Sequence, residues 1–341
     1  VATSVDLRDF LEPEEITGDY IDGVIDETVP RQRQILNYVS LEEHDDDKIE
    51  ARVWIQQKDK QATITGFGDR YARRKGMRVE EMRIEPFTMK DGRSWDVEDD
   101  EIELDGDGRP MVARSGIVEG TGYLEDLRRT LQVNAVLSAL NDKSFVYDQG
   151  DVKLDIPYDG HVVDDTGPSV DFDNSSCNPH YEYKKLIERY YQDIGQRPNL
   201  AFVNGVTAAE ILKLDDLNQK YIPQQPSDPD GTPETFDLFY VEGILHVVLH
   251  DKYPKADGSL SDPVDEGWGI FTVQQLREDQ RPAIRWHRAS TKLNGRDASS
   301  PAYETFVEDR ETKSVVLGMY DNGIPGFGKR KVARRFKYYT P

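Results

Sequence analysis

The run Gly243-Ile244-Leu245-His246-Val247-Val248 leads into Asp251-Lys252-Tyr253, then Asp257-Gly258 and Pro263, and then Trp268-Gly269-Ile270-Phe271. Residues 244–250 and 267–273 are short apolar runs, rich in β-branched and aromatic side chains and bounded by Gly, Asp and Pro. Two strands joined by a polar loop with an Asp-Gly turn are therefore expected. His246 and His250 are spaced i,i+4, but Val247, Val248 and Leu249 between them make a strand, and no Glu follows His246 as the helical zinc-hydrolase motif needs. Both histidines are read as structural.

Upstream of these strands the helical period takes over. Asn178 suits an N-cap, Pro179 the first helical position and Gly195 the C-terminal stop. Tyr183, Leu186, Ile187, Tyr190, Tyr191 and Ile194 keep helical spacing between them. Residues 199–204 read as a short buried strand, and Thr207 with Glu210 forms a capping box that opens a helix to about Tyr221. Earlier still, Leu124, Leu127, Leu131 and Ala135 make one stripe, widened by Val136, Leu137 and Leu140, predicting a helix over 123–141 with Thr121 as its N-cap. A strand over 152–156 and a polar, Asp-rich loop separate the two long helices. Helices and strands mixed in this way, flanked by β-rich pieces, indicate an α+β fold.

The N-terminal third is organised by charge. Residues 1–50 hold 15 acids and four bases, which reads as an extended arm with little core of its own. Val53, Ile55, Thr63, Ile64 and Thr65 predict a β-ribbon from residue 49 onward. Between residues 56 and 95 there are ten bases against six acids, and the following residues 96–107 hold eight acids in twelve positions. So sharp an alternation points to contact between copies of the chain. The candidate contact residues are Arg70, Arg73, Arg74, Lys75 and Arg78 at a ribbon tip. Their candidate acidic partners are Asp45, Asp46 and Asp47 or Asp99, Asp100 and Glu101, which an arginine fork can grip in bidentate fashion.

Composition narrows the function classes. The chain has 341 residues, 65 Asp plus Glu, 43 Lys plus Arg and a formal net charge of −22, the reverse of a general nucleic-acid footprint. The Asp bias and the excess of Arg over Lys are compatible with a chain hydrated in concentrated salt. The single Cys177 excludes an intramolecular disulfide framework or a cysteine-based metal site, and reads as a small buried or half-exposed thiol. No stretch approaches the ~20 apolar residues of a membrane span, and no signal peptide is evident, so a soluble chain made inside the cell is expected. Gly66-Phe67-Gly68 lacks the third glycine and the following helix of a phosphate loop. Glu103, Asp105, Asp107 and Gly108 resemble the opening of a calcium loop, but Arg114 stands where a bidentate Glu is needed. No nucleophile, base and orienter can be nominated among so many carboxylates. No catalytic residue, cofactor or metal ligand is assigned.

In the order of these features the chain resembles the lambda-type major capsid proteins of tailed double-stranded DNA viruses, a family of the HK97-type fold. The strand, tyrosine-containing loop, Asp-Gly turn and return strand of the opening quotation are its most specific part. A strand over 314–320 followed by Pro325 is similar to the family's ending. The resemblance implies an N-terminal arm (1–48), an E-loop ribbon (49–111), a peripheral domain with a long spine helix (112–178), an axial domain (179–300) and a C-terminal return to the peripheral domain (301–341). It further implies a structural protein rather than an enzyme, self-assembling as hexamers and pentamers into an icosahedral head that encloses DNA without reading its sequence. The implied location is the virion capsid, assembled in the host cytoplasm. The implied partners are portal, scaffold or protease during assembly, and a decoration protein. Two features depart from the family: the tail 329–341 is basic, and no long scaffold-like segment precedes the arm, implying a separate or cleaved scaffold. The alternatives are an encapsulin-like compartment shell and, from another class, an acidic cation-dependent hydrolase suggested by the Asp-rich loops.

Overall fold

The computed structural model describes residues 34–44, 49–55, 78–84, 86–95, 102–104, 110–112, 114–149, 152–165, 167–213, 238–250, 252–254, 259–293, 296–298, 302–307 and 315–341. A short 3-10 turn (Gln34–Tyr38) leads into β1 (Val39–His44), the hairpin strands β2 (Ile49–Ile55) and β3 (Arg78–Ile84), then β4 (Phe87–Trp95) and the small pair β5 (Ile102–Leu104) and β6 (Pro110–Val112). Helix α1 (Arg114–Asn141) comes next, followed by β7 (Ser144–Gln149), β8 (Val152–Pro157), β9 (Val162–Asp164) and helix α2 (Pro179–Ile194). Then come β10 (Leu200–Asn204), helix α3 (Gly205–Leu212), β11 (Leu238–Val241), β12 (Ile244–Leu249), β13 (Tyr253–Pro254), β14 (Leu260–Ser261) and β15 (Trp268–Thr272). The chain ends with β16 (Ile284–Ala289), β17 (Thr291–Leu293), β18 (Arg296–Ala298), β19 (Ala302–Val307), β20 (Val315–Phe327) and β21 (Ala333–Lys337).

Two sheets organise these elements. The six-stranded sheet runs β11-β12-β10-β15-β21-β9 and mixes parallel with antiparallel pairing. Its central strands are apolar on both faces: every residue of Leu200–Asn204 is buried, as is all of Ile244–Leu249 except Leu245. Such runs are what a sheet covered on both sides requires. The sharp β11–β12 turn places Glu242 at φ 50° and Gly243 at φ 76°, the doubly left-handed backbone of a two-residue hairpin that matches strand twist. Helix α2 covers this sheet. Asn178 accepts from the Tyr181 N–H, Pro179 occupies the first turn, and Gly195 at φ 77° closes the helix, as its spacing predicts.

The second sheet has five strands, β1-β16-β20-β19 with β4 also on β20. Here the expected boundaries shift. The expected E-loop, 49–111, is divided: β2 and β3 pair only with each other, whereas β4 is zipped along β20 from Phe87↔Gly323 to Trp95↔Val315. Met89 and Trp95 of β4 are buried against the body, which is why that strand belongs to it. Likewise β16, placed by number in 179–300, lies in this five-stranded sheet. The C-terminal segment returns to it through β19 and β20, whereas β21 crosses into the six-stranded sheet between β15 and β9. Pro325, expected beyond the last strand, sits within β20 past the last residue paired with β4, a position where a missing N–H is tolerated.

Helix α1 starts nine residues before the predicted 123, so Thr121 is inside it rather than capping it. Gly116, Gly120 and Gly122 argue against helix by propensity, but a Cβ on Gly120 would lie 2.7 Å from Trp95 Cη2. The glycine allows the helix to settle on the sheet, and tertiary packing overrides propensity. Helix α3 is capped by the Asn204 side chain, which accepts from the Thr207 N–H at 2.7 Å. Thr207 is therefore not the cap; its buried hydroxyl accepts from the Gly267 N–H at 2.9 Å. The continuation of that helix to Tyr221 lies outside the described residues beyond 213. No helix among the described residues is long and apolar enough to cross a membrane.

Candidate assembly site

Among the described residues, the β2–β3 ribbon is hydrogen-bonded to neither of the two large sheets, although β2 approaches β16. Its register sets Glu50 opposite Arg83 and Arg52 opposite Glu81, two opposite-charge positions directly across the ladder. Arg83 thus has an acidic neighbour within its own ribbon by register. Of the predicted tip residues, Arg78 opens β3 opposite Ile55. Arg70, Arg73, Arg74 and Lys75 lie outside the described residues, as do their expected partners Asp45, Asp46, Asp47, Asp99, Asp100 and Glu101. Two other bases of the same island are used at home. Lys90 stands 4.9 Å over the Tyr320 ring, and Arg93 bonds Glu119 at 3.3 Å beside the Trp95 ring.

A buried ionic joint ties α1 to the five-stranded sheet. Arg128 donates to Glu125 on its own helix and, at 3.2 Å, to Asp321 of β20. Arg129 donates to Glu125 at 3.0 Å, the Tyr303 hydroxyl donates to Glu125 at 3.1 Å, and Arg288 Nε lies 3.3 Å from Asp321 Oδ1. Burial works to raise the Glu125 carboxyl, but the bonds and charges of Arg128 and Arg129 carry it below the ordinary range. Four elements meet on this one network: α1, β16, β19 and β20.

The basic tail has the same structural character. Lys329 is buried, donates to the Ile194 carbonyl at 2.5 Å at the end of α2, and pairs with Glu278 at 2.6 Å. A cation at the last carbonyls of a helix is favourably placed. Arg334 donates to Asp165 at 2.6 Å and to Asp193, and Arg335 donates to Asp265 at 3.0 Å. The basic residues that set the tail 329–341 apart from the family in sequence are the means of fastening β21.

The two histidines of the opening stretch part company. His246 is fully buried, its Nε2 3.0 Å from the Tyr183 hydroxyl and its Nδ1 3.1 Å from the Ile244 carbonyl, with Phe239 stacked on its ring. Burial pushes it down to about 4, despite the backbone bond. It is neutral, with Nδ1–H donating and Nε2 accepting. His250 is exposed at the strand end. Burial, then the neighbouring Glu182, Asp171 and Asp173, push the Cys177 thiol up to about 11, which leaves it unreactive at neutral pH.

One cluster was not foreseen. Glu42, His44 and His287 bring three potential ligand atoms within 4.8 Å of one another. His44 and His287 are 243 residues apart in sequence, so no local spacing announces them.

An α+β chain with two mixed sheets, a long helix laid on one of them and a separately paired β-ribbon has the HK97-type capsid fold. Solved structures that share it include the following three. A candidate capsid protein from a prophage of E. coli CFT073 has a TM-score of 0.56 at 10% identity, covering 76% of this chain and 80% of its own. A phage-related protein of Bordetella bronchiseptica RB50 also has a TM-score of 0.56 at 10% identity, covering 95% of this chain and 98% of its own. The capsid of a native GTA particle has a TM-score of 0.51 at 10% identity, with 92% of each chain covered. No protein-family model matches the sequence, and comparison with curated proteins found no relative.

Proposed function

We propose that this chain is the shell-building subunit of a tailed-virus head, a major capsid protein with a structural and non-enzymatic role. The observation that carries the reading is the shared fold across nearly the whole chain, including 95% of it against the phage-related protein. The separately paired ribbon supports it. A two-stranded hairpin is marginal in water by itself, so β2–β3 calls for a surface to lie on, and a neighbouring copy supplies one in a closed symmetric shell.

In this reading β2–β3 is the E-loop; of the expected arm 1–48, Ile35 is buried in the core and β1 belongs to the five-stranded sheet, which leaves the arm to the residues before them. The five-stranded sheet with α1 is the peripheral domain, and the six-stranded sheet with α2 is the axial domain. Copies associate as hexamers and pentamers, and the head holds double-stranded DNA without reading its sequence. Portal, scaffold or protease and a decoration protein are the expected partners, and assembly takes place in the host cytoplasm. The ribbon tip, Arg70 to Arg78, docks on acidic residues of an adjacent copy. The test is negative-stain electron microscopy and sedimentation of the purified protein across a salt series. Closed particles of uniform diameter are the expected result, and a chain that stays monomeric at every ionic strength would overturn the reading. Particles purified from producing cells that contain protein cargo and no DNA would move it to the encapsulin-like alternative.

A further inference from the structure

We propose that Glu42, His44 and His287 bind one divalent transition-metal ion of the zinc class. The parallel pairing of β1 with β16 sets Glu42 beside His287, and His44, two residues further along β1, returns to the same face. His44 Nε2 lies 3.1 Å from His287 Nδ1, and Glu42 Oε2 lies 3.4 Å from that same nitrogen. A zinc ion held at about 2.0–2.2 Å by nitrogen and carboxylate ligands separates them by roughly 3.3 Å when the site is tetrahedral. Both measured spacings already match. Two imidazole nitrogens with one carboxylate favour zinc, cobalt or nickel over magnesium or calcium, which take oxygen ligands.

The ligands are held from behind. A Cβ on Gly326 would lie 2.4 Å from Cδ2 and 2.6 Å from Nε2 of His287, so the Cδ2–Nε2 edge of the imidazole abuts the β20 backbone and its Nδ1 is on the opposite side of the ring. The other oxygen of Glu42, Oε1, lies 3.2 Å from both Arg281 and Arg285, which leaves Oε2 turned to the histidines. Hydrogen bonds to a ligating carboxylate are the usual support of such a site. Of these two arginines, Arg285 is also paired with Asp279 at 2.8 Å, and Arg281 is exposed to solvent. A pocket of about 430 Å³, lined by Glu42 and His44 together with Ser40, Leu41 and Pro282, opens beside the cluster and gives a water or another fourth ligand access. Bound there, the ion staples β1, the strand that precedes the ribbon, to β16.

The experiment needs no assembled shell, and so it is independent of the capsid reading. The full chain is stripped with a chelator and titrated with Co²⁺, read by its visible absorption, and with Zn²⁺, read by competition with a chromogenic chelator. One equivalent of Co²⁺ with the intense bands of a tetrahedral site, displaced by Zn²⁺, is expected. His44→Ala should weaken binding by at least tenfold and abolish those bands. His44 is partly exposed, so this variant should fold. Glu42→Gln provides a second ligand variant with the same expected loss, and His250→Ala, outside the cluster, should bind as the parent does. Absence of tetrahedral Co²⁺ bands in the parent would mean a hydrogen-bonded histidine pair only and would overturn the proposal. Undiminished binding by both His44→Ala and Glu42→Gln would place the ion elsewhere and overturn it equally.

Discussion

Acid should loosen the six-stranded sheet through a single imidazole. His246 is neutral and enclosed by Phe239, Tyr183 and Phe271, and burial holds it down to about 4. In the unfolded chain it returns to about 6.5. The unfolded state therefore binds the extra proton between these values, and stability present above pH 6.5 is lost as the pH falls toward 4 and is constant below that. At 1.36 kcal/mol per unit, the difference is worth about 3 kcal/mol, a large part of the ~5–15 kcal/mol that holds a domain folded. Other groups titrate over the same range, so the informative quantity is a difference between proteins. Urea unfolding of the unassembled subunit would be followed from pH 7 to pH 4 in the parent and in His246→Phe. The variant starts lower, because Ile244 and Tyr183 lose a partner, but its stability should fall by about 3 kcal/mol less across the series. Equal losses in the two proteins would refute the assignment of a depressed, neutral imidazole at this position.

Asp321→Ala should cost about 3–5 kcal/mol in the same assay, since it leaves Arg128 and Arg288 buried without their shared carboxylate. A loss below 1 kcal/mol would show that water reaches the joint. Reversing Arg73 and Arg74 to Glu should block or weaken assembly in sedimentation while circular dichroism of the subunit is unchanged; shells of normal yield would remove the ribbon tip from the contact. Shell stability should rise with ionic strength, because each copy carries −22 and the screening length falls from ~30 Å at 0.01 M to ~3 Å at 1 M. Light scattering that finds the shells most stable at the lowest salt would show that attractive ion pairs outweigh repulsion.

What could be read from the sequence was what is decided locally. Asn178, Pro179 and Gly195 announce α2 because a helix end is satisfied by residues within a turn of it, and the apolar runs around His246 announce buried strands. The early start of α1 was hidden because Gly120 is explained by Trp95 and Leu317, contacts across the fold. The same is true of the ribbon's limit. Lys90 and Arg93 give β4 the charge of the preceding segment, and only its pairing with β20 shows that it belongs to the body. At α3 two residues competed for the cap, and Thr207 was taken by a backbone N–H 60 residues away. The Glu42–His44–His287 cluster is least legible of all, because it exists only through the register of a parallel strand pair.

That pairing has a mechanical side. The ribbon's two legs continue into β1 and β4, and both strands are rooted in one sheet, β1 along β16 over six residue pairs and β4 along β20 over nine. Force arriving from the ribbon along the strand axes loads these ladders in shear, where many hydrogen bonds resist together, rather than peeling them one at a time. β20 passes that load on to β16 and β19 by its own pairing and to α1 through Asp321 and Arg128. A tug on the ribbon is thus spread through the five-stranded sheet and α1.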